Sequence, residues 1–135
     1  MKLAKNAGAK RAIPLAVSAP SHCTLMIGAS DRLGELLNTI KFNDPSVPIV
    51  NNAEAMFLTN SERIKYSLIA QLSSPLLWED SIRNILEKGV DTFVEVGPGK
   101  VLSGLIKRIE PSSRILNVED MESLKKTIQE LKSAS

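Results

Sequence analysis

Thr92-Phe93-Val94-Glu95-Val96, then Gly97-Pro98-Gly99, then Lys100–Ile109 read as a strand, a tight turn and a helix. The first run is β-branched and aromatic, as strands prefer, and two glycines around a proline break it sharply. Downstream, Arg114–Val118 reads as a last strand, and Met121, Leu124, Ile128 and Leu131 mark a terminal amphipathic helix. Upstream, Trp78, Ile82, Ile85 and Leu86 form a helical stripe that Gly89 closes as a C-terminal cap, with Pro75 interrupting before it. Ile64, Leu68, Ile69 and Leu72 lie on another stripe within 60–73.

Val47–Val50 is short, apolar and β-branched and reads as a buried strand, with Asn51-Asn52 at its end. Leu25, Met26, Ala29, Leu33, Leu36, Leu37 and Ile40 recur at helical spacing, with Ser21 as the expected cap and Asn43-Asp44-Pro45 as the stop. Ile13–Ser18 reads as a strand, and residues 1–11 as the polar tail of a helix and a turn. Strands and helices thus alternate over short connections. That pattern predicts an α/β fold, a parallel sheet flanked by helices. Ligands of such sheets bind beyond the carboxyl ends of the strands, which singles out Val50-Asn51-Asn52 and Val96–Lys100.

The 135 residues make one domain's worth of chain, and 43% hydrophobic with 24% charged residues allow both a core and solubility. Aromatics are 4%, so aliphatic packing must dominate. A net charge of +2 is too mild for nucleic acid and suits at most a modest basic patch for an acidic partner. Cys23 is the single cysteine, which excludes an internal disulfide and a thiolate metal cluster, and it reads as a small buried hydrophobe in a reducing, cytoplasmic setting. No apolar run approaches the roughly 20 residues needed to cross a bilayer. Ala12–Val17 after Lys2, Lys5, Lys10 and Arg11 imitates a signal peptide, but it contains Pro14 and falls short of the roughly 7–15-residue core required.

His22 is the one histidine, placed after Ala19-Pro20-Ser21 where a strand gives way to a helix. A structural or merely exposed role is the ordinary reading of a lone histidine. At a strand–helix junction it can also reach a site at the strand ends, where a pKa of about 6.5 suits proton shuttling. No glycine has the Gly-x-Ser-x-Gly spacing: Gly28-Ala29-Ser30 is followed by Arg32 where the second glycine belongs. A catalytic His22 therefore requires a nucleophile from sequence preceding residue 1.

Gly97–Lys100 fails as a P-loop, which needs glycine at Val94 and Ser or Thr at Val101, and as a dinucleotide fingerprint, which needs glycine at Leu102. Lys100, Lys107 and Arg108 read either as solvated helix surface or as a docking patch. Asn51 and Asn52 read as turn formers or site lining, and Trp78 as core. No His, Asp, Glu or Cys cluster has metal-ligand spacing.

Ala9–Cys23, with Ala16-Val17-Ser18-Ala19-Pro20-Ser21-His22-Cys23 at its end, closely resembles the histidine segment of free-standing bacterial malonyl-CoA:acyl-carrier-protein transacylases. Val47-Pro48-Ile49-Val50-Asn51-Asn52 is similar to a second segment of that family. Gln71-Leu72 with Ser74-Pro75 and Trp78 is similar to a third. Glu95-Val96-Gly97-Pro98-Gly99-Lys100-Val101-Leu102, with Gly104-Leu105 and Lys107-Arg108-Ile109, is similar to the fourth and most specific. The order is collinear over about residues 8–118.

The resemblance implies the C-terminal half of an α/β-hydrolase-like acyltransferase domain. Residues 1–18 would be the end of a ferredoxin-like insertion and its return strand, and 19–135 the C-terminal part of the large domain. It implies malonyl transfer from coenzyme A to the phosphopantetheine thiol of acyl carrier protein in fatty acid biosynthesis, without a cofactor or metal. His22 would be the base and acid, oriented by the main-chain carbonyl of Gln71. Ser21, Asn51 and Asn52 would line the site. Lys100, Lys107 and Arg108 would dock the carrier protein. The nucleophile elbow, the oxyanion segment and the malonyl-binding arginine lie upstream of what these residues match. The expected partners are malonyl-CoA, acyl carrier protein and a separately encoded N-terminal half, with no nucleic acid and no membrane. Met1-Lys2 falling inside a family helix favours truncation. An inactive remnant, or a carrier-binding module without catalysis, is the alternative.

Overall fold

The computed structural model describes residues 1–14 and 20–133. A short helix α1 (Lys2–Asn6) ends in a turn at Gly8, whose φ of 89° only glycine adopts freely. The expected strand Ile13–Ser18 lies mostly outside the described residues, and Ile13 and Pro14 are irregular. A 3-10 turn, Thr24–Met26, runs into α2 (Ile27–Asn38). This helix stops at Thr39, ahead of the expected Asn43-Asp44-Pro45, and only Leu37 of its apolar stripe is buried, while Leu25, Leu36 and Ile40 are exposed.

Val47–Val50 is corrected in kind. Only Ile49–Val50 (β1) is a strand. It pairs antiparallel with Phe57–Leu58 (β2), and both Val47 and Ile49 are exposed. Residue type gave the extended backbone, but the partner lies a few residues further on and makes a hairpin.

Asn60 caps α3 (Ser61–Ala70) by accepting from the amides of Glu62 and Arg63. Helix α4 (Trp78–Glu87) follows and ends where Gly89 takes a φ of 82°. Then come β3 (Thr92–Val96), α5 (Val101–Ile109), β4 (Arg114–Val118) and α6 (Met121–Lys132). β3 and β4 are parallel and in register from Thr92 opposite Arg114 to Val96 opposite Val118, with α5 as the crossover between them. The parallel α/β pattern therefore holds for this unit, with the β1–β2 hairpin beside it.

The core gathers Ile82 of α4, Ile106 of α5 and Leu116 of β4, with Ile64 and Leu37 between α3 and α2. It is thin, because among the described residues no large side chain is completely buried. The accessible surface is 10050 Å². A closed globule of this mass exposes roughly 6,900 Å². The arm of residues 1–14 carries part of that excess, and exposed valines and leucines on β3, α5 and α2 carry more.

Candidate functional site

The chain passes from Pro20 and Ser21 into His22 with a φ of 60°, the left-handed region. For a residue with a Cβ this costs about 1–2 kcal/mol. Two hydrogen bonds hold it there. The His22 amide donates to the Leu72 carbonyl at 3.1 Å, and the ring Nδ1 lies 2.9 Å from the Gln71 carbonyl oxygen.

Both acceptors sit at the C-terminal end of α3, where carbonyls have no partner within the helix. A carbonyl only accepts, so Nδ1 carries the hydrogen and Nε2 is left with its lone pair. The imidazole is exposed, open to a reactant from outside this chain. The same carbonyl keeps its contact when the ring takes up a second proton.

Helix α2, which leads away from His22, is tied to the same turn. Ser30, buried, donates its hydroxyl to the Ile69 carbonyl at 2.6 Å. Gly34 lets the helices approach: a Cβ there would sit 3.4 Å from Ile69 Cδ1. Ser21 is exposed beside His22 and does not cap, since the 3-10 turn starts at Thr24 with Cys23 in the cap position and no side-chain cap bond. Cys23 is half-buried rather than buried, its thiol donating to the Pro20 carbonyl at 3.1 Å.

Asn51 is buried and occupied. Its Nδ2 donates to Glu54 at 2.9 Å, and its Oδ1 accepts the Met56 amide at 2.8 Å. The loop is fastened to α4, where the Asn52 carbonyl accepts the Leu77 amide at 2.8 Å and Asn84 donates to the carbonyl of Ala55, itself at a φ of 56°. Asn51 thus builds the turn. Asn52 is half-buried and lines a cavity of about 230 Å³ with Val50, Trp78, Ile82, Val94 and Leu102. Trp78 is half-buried at that cavity.

The Gly97–Lys100 loop has a specific reason not to bind phosphate. The α5 N-terminus already holds an anion. The Glu95 carboxylate accepts the amides of Leu102 at 3.1 Å and Ser103 at 2.8 Å, and the Ser103 hydroxyl as well. The Ser103 hydroxyl first, and then these amides, hold the Glu95 carboxyl below the usual carboxylate range. The Gly99 amide donates to Glu119 at 3.0 Å, and Asn117 donates to the Gly99 carbonyl at 3.3 Å. Glu95 is not legible as a cap in the sequence, because it stands seven positions before the first amide that donates to it, outside the usual cap spacing.

All three cations are exposed, and Lys107 alone of them donates to carbonyls, those of Pro111 at 2.9 Å and Ser113 at 2.6 Å, fastening the α5–β4 loop. The larger groove, about 530 Å³, runs over β4 and α6 with Lys100, Asn117, Glu119 and Lys126 on its wall, and shares no residue with the His22 loop. Among the described residues no three His, Cys, Asp or Glu gather around a metal position, and no helix is long and apolar enough to cross a membrane.

No family model matches the chain. It is 46% identical over 131 residues to the malonyl CoA-acyl carrier protein transacylase of Bacillus subtilis, covering 97% of this chain and 41% of that protein. Against the transacylase of Escherichia coli it is 51% identical over 105 residues, 78% of this chain and 34% of that one. The solved transacylase of Clostridium perfringens superposes with a TM-score of 0.89 at 39% identity, covering 99% of this chain and 42% of that structure.

Over nearly its whole length the chain is similar to part of these malonyl CoA-acyl carrier protein transacylases. It spans about two-fifths of the length of the Bacillus subtilis transacylase, which it matches over 41%. A malonyl-transacylase solved in complex with a type II polyketide acyl-carrier protein is similar too, with a TM-score of 0.87 at 43% identity over 96% of this chain and 42% of that one. The chain shares the fold of the matching part of these α/β-hydrolase-like acyltransferases, and its own parallel sheet is the β3–α5–β4 unit.

Proposed function

We propose that this chain supplies the proton-transferring histidine of a malonyl transferase, acting on a serine outside its 135 residues. The observation that carries this reading is the Nδ1 contact of His22 with the Gln71 carbonyl at 2.9 Å, which leaves Nε2 free and exposed. A base must be held in one tautomer and aimed by a second group, and a main-chain carbonyl does both.

In the first half-reaction Nε2 takes the serine proton as the oxygen attacks the malonyl thioester. It then gives that proton to the departing sulfur of coenzyme A. In the second, Nε2 takes the proton of the carrier protein's phosphopantetheine thiol as the sulfur attacks the malonyl-serine ester, and returns it to the serine oxygen. Every bond change is a proton or acyl transfer, so neither a metal nor a redox cofactor is required. The product feeds fatty acid biosynthesis.

On this reading Lys100 and Arg108 are the cations that would meet an acidic carrier protein, and Ser21 and Asn52 would line the site. Residues 1–18 belong, on this reading, to the edge of the ferredoxin-like insertion and 19–135 to the large domain. The test is malonyl transfer by the chain assembled with a serine-bearing transacylase portion. His22→Ala should lower transfer by about 100–10,000-fold with assembly intact, and Gln71→Ala should have little effect because the carbonyl survives. Unchanged transfer in His22→Ala would overturn the assignment.

A further inference from the structure

A serine inside a helix ordinarily turns its hydroxyl to water or back to a carbonyl of its own preceding turn. Ser30, on α2 and 6% exposed, does neither. It donates across to the Ile69 carbonyl of α3 at 2.6 Å. That carbonyl lies in the last turn of its helix, which ends at Ala70 with Gln71 as the cap. Among the described residues its other donor is the Leu72 amide, at a long 3.4 Å, while the Ser73 amide goes to Ala70. Further along the same turn, the Gln71 and Leu72 carbonyls take the ring and the amide of His22. Three carbonyls of one turn are thus held by two residues of one segment, His22 and Ser30, eight positions apart. Between them run the 3-10 turn and the start of α2, a stretch of regular backbone. Gly34, one helical turn beyond Ser30 on the same face, stands against Ile69 without a Cβ and lets the hydroxyl come within reach.

We infer that Ser30 is a positioning residue: its hydroxyl fixes the last turn of α3 against α2 and so sets the direction from which the Gln71 carbonyl meets Nδ1 of His22. This role rests on the proton-transfer reading of His22 and adds to it the group that keeps the base aimed. Ser30 is buried against α3 and does not itself meet a reactant. The Ile69 and Gln71 carbonyls are two peptide units apart, so a tilt of the first carries the second. Without the hydroxyl, the Ile69 oxygen is left short of a donor, which a buried carbonyl does not tolerate. The turn then rearranges to find one, and the ring loses the fixed acceptor that dictates its tautomer.

The test compares the full-length wild type with Ser30→Ala, with Ser30→Thr, which keeps the hydroxyl, and with Leu37→Val, which removes a buried methylene from the same α2–α3 packing without touching the turn. The amide spectrum verifies each fold. Nitrogen-15 NMR of the imidazole, at a pH where the ring is neutral, reads the ratio of the Nδ1-protonated to the Nε2-protonated form. Ser30→Ala should lower that ratio about 5-fold, a share of what one hydrogen bond contributes, and Ser30→Thr should return it to within about 2-fold of wild type. Leu37→Val should leave it unchanged. Malonyl transfer is measured separately, in assembly with a serine-bearing transacylase portion. There Ser30→Ala should lower kcat on the order of 10-fold with KM for malonyl-CoA unchanged, as misdirection of a catalytic group does.

An unchanged ratio in Ser30→Ala, an equal fall in Leu37→Val, or no recovery in Ser30→Thr would overturn the inference. So would loss of the amide spectrum in Ser30→Ala, which would make the serine a support of the fold, or an undiminished kcat in Ser30→Ala where His22→Ala does lower transfer. A ratio that falls in Ser30→Ala and recovers in Ser30→Thr, alongside undiminished transfer by His22→Ala, keeps the positioning role and removes the proton-transfer reading.

Discussion

The β3–α5–β4–α6 unit and the His22 segment solve the same problem, unpaired backbone groups at helix ends, in opposite ways. In the first, partners come from within the unit. Glu95 caps α5, Lys107 fastens the loop beyond it, and Asp120 and Ser123 form a reciprocal capping box at α6. In the second, the end of α3 is completed from far along the chain, by Ser30 at 39 positions and His22 at 49, and His22 is held in a strained backbone conformation and is exposed. The first arrangement suits stability. The second spends strain to aim one side chain, as functional sites tend to do.

That contrast breaks first in the core. Ile82, 3% exposed, packs where α4 meets the β3–α5 unit, and Ile82→Ala should cost about 2–5 kcal/mol by chemical denaturation. Leu25→Ala, at a residue 77% exposed beside His22, should change stability by less than about 0.5 kcal/mol. Equal losses would mean that the His22 side is packed after all.

The next test uses one backbone conformation found in both regions. Gly89, at a φ of 82°, closes α4 in the left-handed region, so Gly89→Ala should cost about 1–2 kcal/mol. His22→Gly relieves strain of the same kind, but it loses a ring hydrogen bond and loosens the unfolded chain. Its net effect should stay within about 1 kcal/mol of zero. A large loss in His22→Gly would make the histidine a structural support.

A smaller effect separates the regions by pH. The folded-state pKa of Glu95 is depressed, chiefly by the Ser103 hydroxyl. Its contribution is therefore present above the ordinary glutamate range and fades as pH falls through the folded value. Glu95→Gln should be less stable than wild type near neutrality, and the two melting temperatures should converge in acid. A pH-independent difference would show that the carboxylate's charge is not what caps α5.

The same division explains what was legible in the sequence. Thr92–Val96 and Arg114–Val118 were bounded by turn residues and carried their own periodicity, so their limits agree with the structure. The hairpin of Ile49–Val50 with Phe57–Leu58 was misread, because a two-residue strand has no period and its partner was not recognised. Ser21 has the chemistry of a cap, but with the left-handed turn at His22 the cap position falls on Cys23 and the 3-10 turn starts at Thr24. The contact between His22 and Gln71 joins positions 49 apart through a main-chain atom, which no residue type encodes. Only resemblance to transacylases pointed to it.

The central claim is that the end of α3 fixes the His22 ring with hydrogen on Nδ1 and a free Nε2. Because His22 is the only histidine among 135 residues, nitrogen-15 NMR of the imidazole reads it directly in the intact chain. The account predicts, at a pH where the ring is neutral, a single form with Nδ1 protonated and Nε2 bare. A ring protonated on Nε2, or an even mixture of the two forms, would contradict it.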